Sequence, residues 1–398
     1  MLVTLPEISF VLLHGASHAA ATALARRLFA SDEIFDMSAV SREDLLALAA
    51  RRCAAGLTTA IVEAGSPHGA HKLRVALASE ARENFVRRFA LVLPDAPIGE
   101  PNIAERLRID GYREVVTLEP EALEALAIRR ERMPTDRRRE AGPFDIIGDV
   151  HGCASELEDL LAQLGYVVSY EGVGADRRVY VDPPAGRRAI FVGDLVDRGP
   201  RSADVLRIVL EMTRRGSALL VPGNHDVKFL RWLKGENVSV THGLDATVRD
   251  VSKETDQFRS DVTDLLQGLW SHVWVDGGAL VVAHAGIKEA MIGRATPRVR
   301  RFCLYGDTSG EKDDYGLPVR YHWALGYRGE TAVVYGHTPV PAAEWVANTL
   351  CVDTGCCFGG RLTALRWPER EIVSVPARET YARPIRPFGH PRARPPGV

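Results

Sequence analysis

Apolar runs that stop at a glycine recur along this chain. Ile8 to His14 reads as a buried strand closed by Gly15, and an alanine-rich stretch to about Phe29 follows with helical spacing. Helical patterns return near 41–54 and 69–87, and strand-like runs fall at 58–63, 89–93 and, more briefly, 114–118. Strand and helix alternating at these lengths predict a small parallel α/β domain over 1–118. Arg and Glu then crowd the chain, with Arg129, Arg130, Arg132, Arg137 to Arg139 and Pro134. Residues 119–142 therefore read as a solvated, charged linker ending near Gly142-Pro143.

Five more strand-sized runs follow: Phe144–Ile147, Arg188–Val192, Ala218–Val221, Ala279–Ala283 and Thr331–Tyr335. Each ends in a short block of polar residues and glycine. In order these are Asp149-Val150-His151-Gly152, Gly193-Asp194-Leu195-Val196-Asp197-Arg198-Gly199, Gly223-Asn224-His225-Asp226, His284-Ala285-Gly286 and Gly336-His337-Thr338. Open α/β sheets gather ligands on loops past strand ends, and glycine lets backbone approach them closely. A second domain is expected over 143–376, and a Pro- and Arg-rich, disordered tail over 377–398.

The blocks supply hard oxygen and imidazole nitrogen, the donors suited to divalent first-row metals. Asp149 and His151, separated by one residue, are expected to project the same way and hold one ion. Asp194 has two carboxylate oxygens and can bridge to a second ion completed by Asn224, His284 and His337. Two ions sharing a carboxylate suit in-line displacement at phosphorus. His225 points elsewhere than Asn224 and is the expected general acid, with Asp197 holding its imidazole and Arg198 offering a planar fork to phosphate. His242, His272 and His322 are taken as core or surface residues, Asp226 as a cap for the helix from Val227, and Asp145 as a surface residue. Arg320 and Arg328 are candidates for a second phosphate contact.

The bulk numbers narrow the partners. A formal net charge of -2 gives no support for broad nucleic-acid binding. No run approaches a membrane span, and Met1 to Phe10 lacks a basic leader segment, so a cytoplasmic protein is expected. Six cysteines without CxxC spacing fit reduced thiols, and the Cys351, Cys356 and Cys357 cluster reads as burial beside a strand rather than a zinc site.

GDVHG, GDLVDRG, GNHD, HAG and GH together resemble the calcineurin-like metallophosphoesterases. GPFDIIGDVHGC (142–153), VPGNHDVKFLRWLKG (221–235), THGL (241–244), YGDTSG (305–310), VVYGHTPVPAAEW (333–345) and VDTGCCFGGRLTALRWPE (352–369) carry a narrower likeness to the phosphatase module of bacterial polynucleotide kinase-phosphatases. The resemblance implies a β-sandwich flanked by helices and the same six metal ligands. It also implies His225 as acid, Arg198 on phosphate and Asp353 as a further active-site residue. Two divalent ions are implied, manganese foremost, with nickel, iron or zinc as alternatives. The expected substrates are phosphomonoesters, in particular 2′- or 3′-phosphate or 2′,3′-cyclic phosphate ends of RNA. Phosphoproteins or diadenosine polyphosphates are the alternative.

In that family the first domain looks like a P-loop kinase. Here the loop reads Gly15-Ala16-Ser17-His18-Ala19-Ala20-Ala21-Thr22, with Ala20 and Ala21 where GxxxxGK[ST] places glycine and lysine. Pro94 to Gly99 stands where an arginine-bearing lid is expected. The domain reads as a kinase-like scaffold without kinase activity. Its expected partners are RNA or a repair protein, and a homodimer is the further assembly considered.

Overall fold

The structure, a computed structural model, describes residues 1–64, 70–94, 103–385, 388 and 393. The expected lid, 94–99, lies outside the described residues apart from Pro94. The chain divides into two compact units, Met1–Met133 with Arg294–Arg298, and Pro134–Gly293 with Val299–Val398.

In the first unit, β2 (Ser9–Gly15), β3 (Ile34–Asp36), β4 (Thr59–Ala64), β5 (Arg87–Val92) and β6 (Glu114–Thr117) form a parallel sheet in the order β3-β4-β2-β5-β6. Helices α1 (His18–Leu28), α2 (Arg42–Ala54), α3 (Ala70–Glu83) and α4 (Ile103–Asp110) connect these strands. Ser17 and Ser41 begin α1 and α2 as N-caps, their hydroxyls accepting from the amides of Ala20 and Asp44. The charged stretch does not begin as a linker. Pro120–Ala125 is a short helix, α5, and Ala127–Glu131 is a strand, β7, paired in parallel with β1 (Leu2–Pro6). That pairing joins residues some 125 positions apart, Leu2 opposite Ala127 being one pair. No local pattern announces it. From the altered loop, His18 Nε2 reaches Asp36 Oδ2 at the end of β3, 2.9 Å away.

The second unit is a two-sheet sandwich. One sheet runs β12 (Ala218–Leu220), β11 (Arg188–Phe191), β8 (Phe144–Ile147), β21 (Arg361–Trp367), β20 (Asp353–Thr354), with β22 (Glu371–Pro376) also on β21. The other runs β13 (His272–Val275), β14 (Leu280–Ala283), β17 (Ala332–Tyr335), β19 (Thr349–Cys351), β18 (Trp345–Val346). Alternate residues of the first sheet (Phe144, Ile146, Ile190, Val192) meet Val273, Val275, Leu280, Val282, Val334 and Leu350 of the second in one apolar layer. The outer face of the first sheet packs against α6 (Ala154–Leu164) and α7 (Ser202–Arg214). Remaining elements include hairpin strands β9 (Val167–Glu171) and β10 (Arg178–Asp182), and helices α8 (Asn224–Leu233), α9 (Leu244–Val251), α10 (Asp256–Gln267) and α11 (Pro297–Tyr305). A bulged hairpin, β15 (Asp307–Lys312) and β16 (Pro318–Tyr321), completes them.

Two expectations change here. Asp145 is buried, not on the surface: its carboxylate accepts from Tyr166 Oη at 3.0 Å and Arg187 at 3.0 Å. The described tail is not loose as far as Ile385. Ala377 N–H donates to Gly360 O, Ala382 N–H to Cys357 O, and Arg378 N–H and Tyr381 Oη both donate to Glu156. All six cysteines are buried free thiols. Cys153 and Cys356, rather than the three expected neighbours, gather with Glu156. A hydrogen bond to Cys356 and burial push the Cys153 thiol far up.

Candidate metal centre

Loops after β8, β11, β12, β14 and β17 converge at one edge of the sandwich. Asp194, fully enclosed, stands at the middle. Its Oδ2 lies 3.5 Å from His151 Nε2, and its Oδ1 lies 3.5 Å from His284 Nε2. The donor atoms of His151, Asp194 and His225 fall within 4.8 Å of one another, as do those of Asp194, His284 and His337. On the second side, His284 Nε2 is 3.1 Å from Asn224 Oδ1 and 3.1 Å from His337 Nδ1. Ligands about 2.0–2.1 Å from a shared ion are separated by this order of distance.

The ring orientations are fixed from behind. His151 Nδ1 donates to Val196 O at 2.8 Å and His284 Nδ1 to Val192 O at 3.0 Å, which leaves each Nε2 lone pair facing inward. His151, Asp194, Asp197, Arg198 and His337 all hold left-handed φ angles between 46° and 75°. Non-glycine residues there cost about 1–3 kcal/mol each, and such strain concentrates at functional sites.

Asp149 departs from its expected geometry. β8 ends at Ile147, so Asp149 and His151 sit on a loop and do not share a strand face. Asp149 Oδ2 accepts from the His337 backbone N–H at 3.0 Å, while its buried Oδ1 has no hydrogen-bond partner. Burial, then Asp353 and Asp194, raise the Asp149 carboxyl well above the usual range. Asp353, which accepts from Gly355 N–H at 3.0 Å, is pushed up to about 6 by burial and by Asp194. Burial would raise Asp194 too, but the imidazoles of His284, His225, His151 and His337 hold it below the ordinary range.

Crowded, desolvated carboxylates with an unsatisfied oxygen are what a divalent cation compensates. Glycine makes the room: a Cβ on Gly336 would stand 1.9 Å from Asp149 Oδ1, and one on Gly223 2.1 Å from Asp194 Oδ1. The donor set therefore fits divalent ions.

Beside this set, His225 Nδ1 lies 2.6 Å from Asp197 Oδ2, and Thr247 Oγ1 donates to Asp197 Oδ1 at 2.8 Å. Arg198 reaches His151 Nε2 and, at 3.0 Å, His225 Nε2, with its guanidinium 4.9 Å above the Phe358 ring. An ion beside His151 requires that guanidinium to shift outward. Asp226 was expected only to cap α8. It does accept from Gly223 N–H at 2.9 Å, but it also takes the N–H groups of Asp194 at 2.8 Å and Leu195 at 2.9 Å, locking the Asp194 loop. Burial and Asp194 push its carboxyl up to about 7.

The site opens into a cavity of about 710 Å³ that includes His242, Arg320 and the tail residues from Tyr381. Arg328 instead donates to the carbonyls of Leu325 and Tyr327. His272 is enclosed, its Nε2 accepting from Gly293 N–H at 3.0 Å. Thr247, the grip of Asp226 on the Asp194 loop and the tail contacts were missed in the sequence, and of these only Asp226, within GNHD, carried a local signal.

Residues 142–341 match the calcineurin-like phosphoesterase family model. The chain belongs to the calcineurin-like phosphoesterases. It is a metal-dependent hydrolase of that family, and no described helix is long and apolar enough to cross a membrane. The bis(5′-nucleosyl)-tetraphosphatase PrpE (asymmetrical) of Anoxybacillus flavithermus is 45% identical over 250 residues, 62% of this chain and 99% of that one. The protein of the same name from Bacillus subtilis is 42% identical over 242 residues, 60% of this chain and 96% of that one. A crystal structure described as a presumed diadenosine tetraphosphatase covers 61% of this chain at 28% identity, with a TM-score of 0.45. The narrower likeness to a polynucleotide kinase-phosphatase finds no support among these relatives, which bear a different name.

Proposed function

We propose that this phosphoesterase hydrolyses bis(5′-nucleosyl) tetraphosphates asymmetrically, in place of the RNA-end reading. One observation carries the chemistry: the two oxygens of Asp194 lie 3.5 Å from two different imidazoles, His151 and His284, a placement from which a carboxylate can bridge two ions. The name shared by relatives 42–45% identical supports the substrate. Asp149, His151, Asp194, Asn224, His284 and His337 would hold two divalent ions, manganese being the first to test. When bound, such ions polarise phosphoryl oxygens and lower the pKa of water.

The remaining work falls to this chain's own groups. Arg198 turns from the imidazoles to the phosphoryl oxygens, where its planar fork matches their geometry. That frees His225 Nε2 to carry a proton to the departing oxygen, while Asp197 accepts from Nδ1 and fixes the ring. Asp353 adds negative charge beside Asp149 and is assigned to the same cation-holding group. For the first unit we infer a scaffold that holds a partner, since Ala20 and Ala21 offer no charge to a phosphate chain.

The test is turnover by the full chain with manganese of diadenosine tetraphosphate, a 3′-phosphorylated RNA oligomer and a phosphopeptide. AMP and ATP in equal amounts from the first, at a kcat/KM well above the other two, is the expected result. Preference for the RNA end or the phosphopeptide would overturn the substrate.

A further inference from the structure

The catalytic cavity is far larger than one phosphoryl group needs, at about 710 Å³. Sites of this volume enclose nucleotide-sized ligands. Among its described lining residues are Arg198, Arg249, Arg320 and Arg383, against the carboxylates Asp194 and Asp245. Asp245 is already paired with Arg249 at 3.1 Å, and Asp194 belongs to the metal centre. Arg198 and the ions suffice for a single phosphoryl group. Arg383 is therefore a cationic side chain beyond what a monoester would use, and Arg320 lines the same cavity.

Arg383 comes from the tail, and the tail is held in place. Phe358 and Thr380 form a bridge, Ala382 N–H donates to Cys357 O at 2.9 Å, and Tyr381 Oη donates to Glu156 Oε1 at 2.8 Å. Past the arginine, the Phe388 ring stands 5.6 Å from Phe358, the ring that also lies beneath the Arg198 guanidinium. The strap is thus anchored on both sides of Arg383, on the loop that borders the reacting end of the cavity.

We propose that the carboxy-terminal strap Tyr381–Ile385 is the element that selects polyphosphate chains, with Arg383, assisted by Arg320 from β16, binding the phosphates beyond the one attacked. This rests on the dinucleoside tetraphosphate reading for its natural substrate. Arginine at this place gives charge-assisted hydrogen bonds to phosphate oxygens, and an exposed side chain loses little packing when replaced.

The experiment compares full-length native protein with Arg383→Lys, Arg383→Ala and Arg383→Glu, all with manganese. Two readouts are taken: kcat/KM for diadenosine tetraphosphate relative to p-nitrophenyl phosphate, and inhibition of p-nitrophenyl phosphate turnover by inorganic tripolyphosphate. The relative kcat/KM is expected to fall at least tenfold in Arg383→Ala, further in Arg383→Glu and least in Arg383→Lys, mainly through KM. The tripolyphosphate inhibition constant should rise in the same order. An unchanged inhibition constant across the series overturns the strap proposal, whatever the natural substrate. Native protein that ignores diadenosine tetraphosphate, yet shows the graded loss of tripolyphosphate inhibition, overturns the substrate reading and leaves the strap as a polyphosphate-binding element.

Discussion

Asp197→Asn isolates the proton-transfer step. Asp197 is completely enclosed, with Oδ2 2.6 Å from His225 Nδ1 and Oδ1 accepting from Thr247 at 2.8 Å. Asparagine keeps the shape. If its carbonyl stays on the Thr247 hydroxyl, its amide N–H meets Nδ1, and the imidazole must accept there rather than donate. The ring is then held neutral, and a neutral imidazole N–H is a weak acid. General acid catalysis contributes about 10²–10⁴-fold, so kcat on an alkyl phosphate, whose alkoxide needs the proton, should drop by that order. For p-nitrophenyl phosphate, whose leaving group departs without help, the loss should stay below about tenfold. A dinucleoside tetraphosphate should behave like p-nitrophenyl phosphate, since the departing phosphate oxygen has a pKa near 6 and also leaves without help. The assay is steady-state turnover of all three by native and variant protein, with bound manganese measured in each. Equal losses on every substrate, or none, would show that His225 and Asp197 do not form the acid.

The other expectations test the cage and the frame. Gly336→Ala places a methyl 1.9 Å from the Asp149 Oδ1 position, so metal retention after dialysis and turnover should both collapse while the melting temperature moves little. Asp194→Asn removes the charge both sides share, and calorimetric titration should show both manganese affinities weakened rather than one. Arg187→Met takes the nearest cation from the buried Asp145 carboxylate, leaving Tyr166 and the more distant Arg366, a loss of up to about 3–5 kcal/mol in chemical denaturation at neutral pH. Burial, partly offset by Arg187, already holds that carboxyl above its ordinary range, so the folded form takes up its proton more readily than the unfolded chain. The deficit in Arg187→Met should therefore shrink as pH is lowered and grow as it rises; a deficit independent of pH would contradict the assignment.

The residues proposed to hold metal stand out in the sequence because each leaves a strand beside glycine, which compresses ligand and backbone freedom into a few contiguous positions. His284 and His337 illustrate this, each following a four-residue apolar strand. What the sequence did not reveal depends on distant partners. Asp145 was expected at the surface, yet Arg187 and Arg366 reach it from other strands and loops. Thr247 sits 50 positions from Asp197 and carries no motif. The tail reads as disordered by composition, but its amides meet carbonyls and a carboxylate supplied by Glu156, Cys357 and Gly360. The substrate was not legible: RNA-end phosphomonoesters were expected first and diadenosine polyphosphates second, because one set of ligands serves monoesters and anhydrides alike.

Diffraction from crystals grown with manganese, recorded at the metal's absorption edge, tests the central claim most directly. Two anomalous peaks about 3.5–4 Å apart, one beside His151 and one beside His284 and His337, with an oxygen of Asp194 on each, are the expected result. A single peak, or an Asp194 carboxylate turned away from both, would contradict the two-ion site.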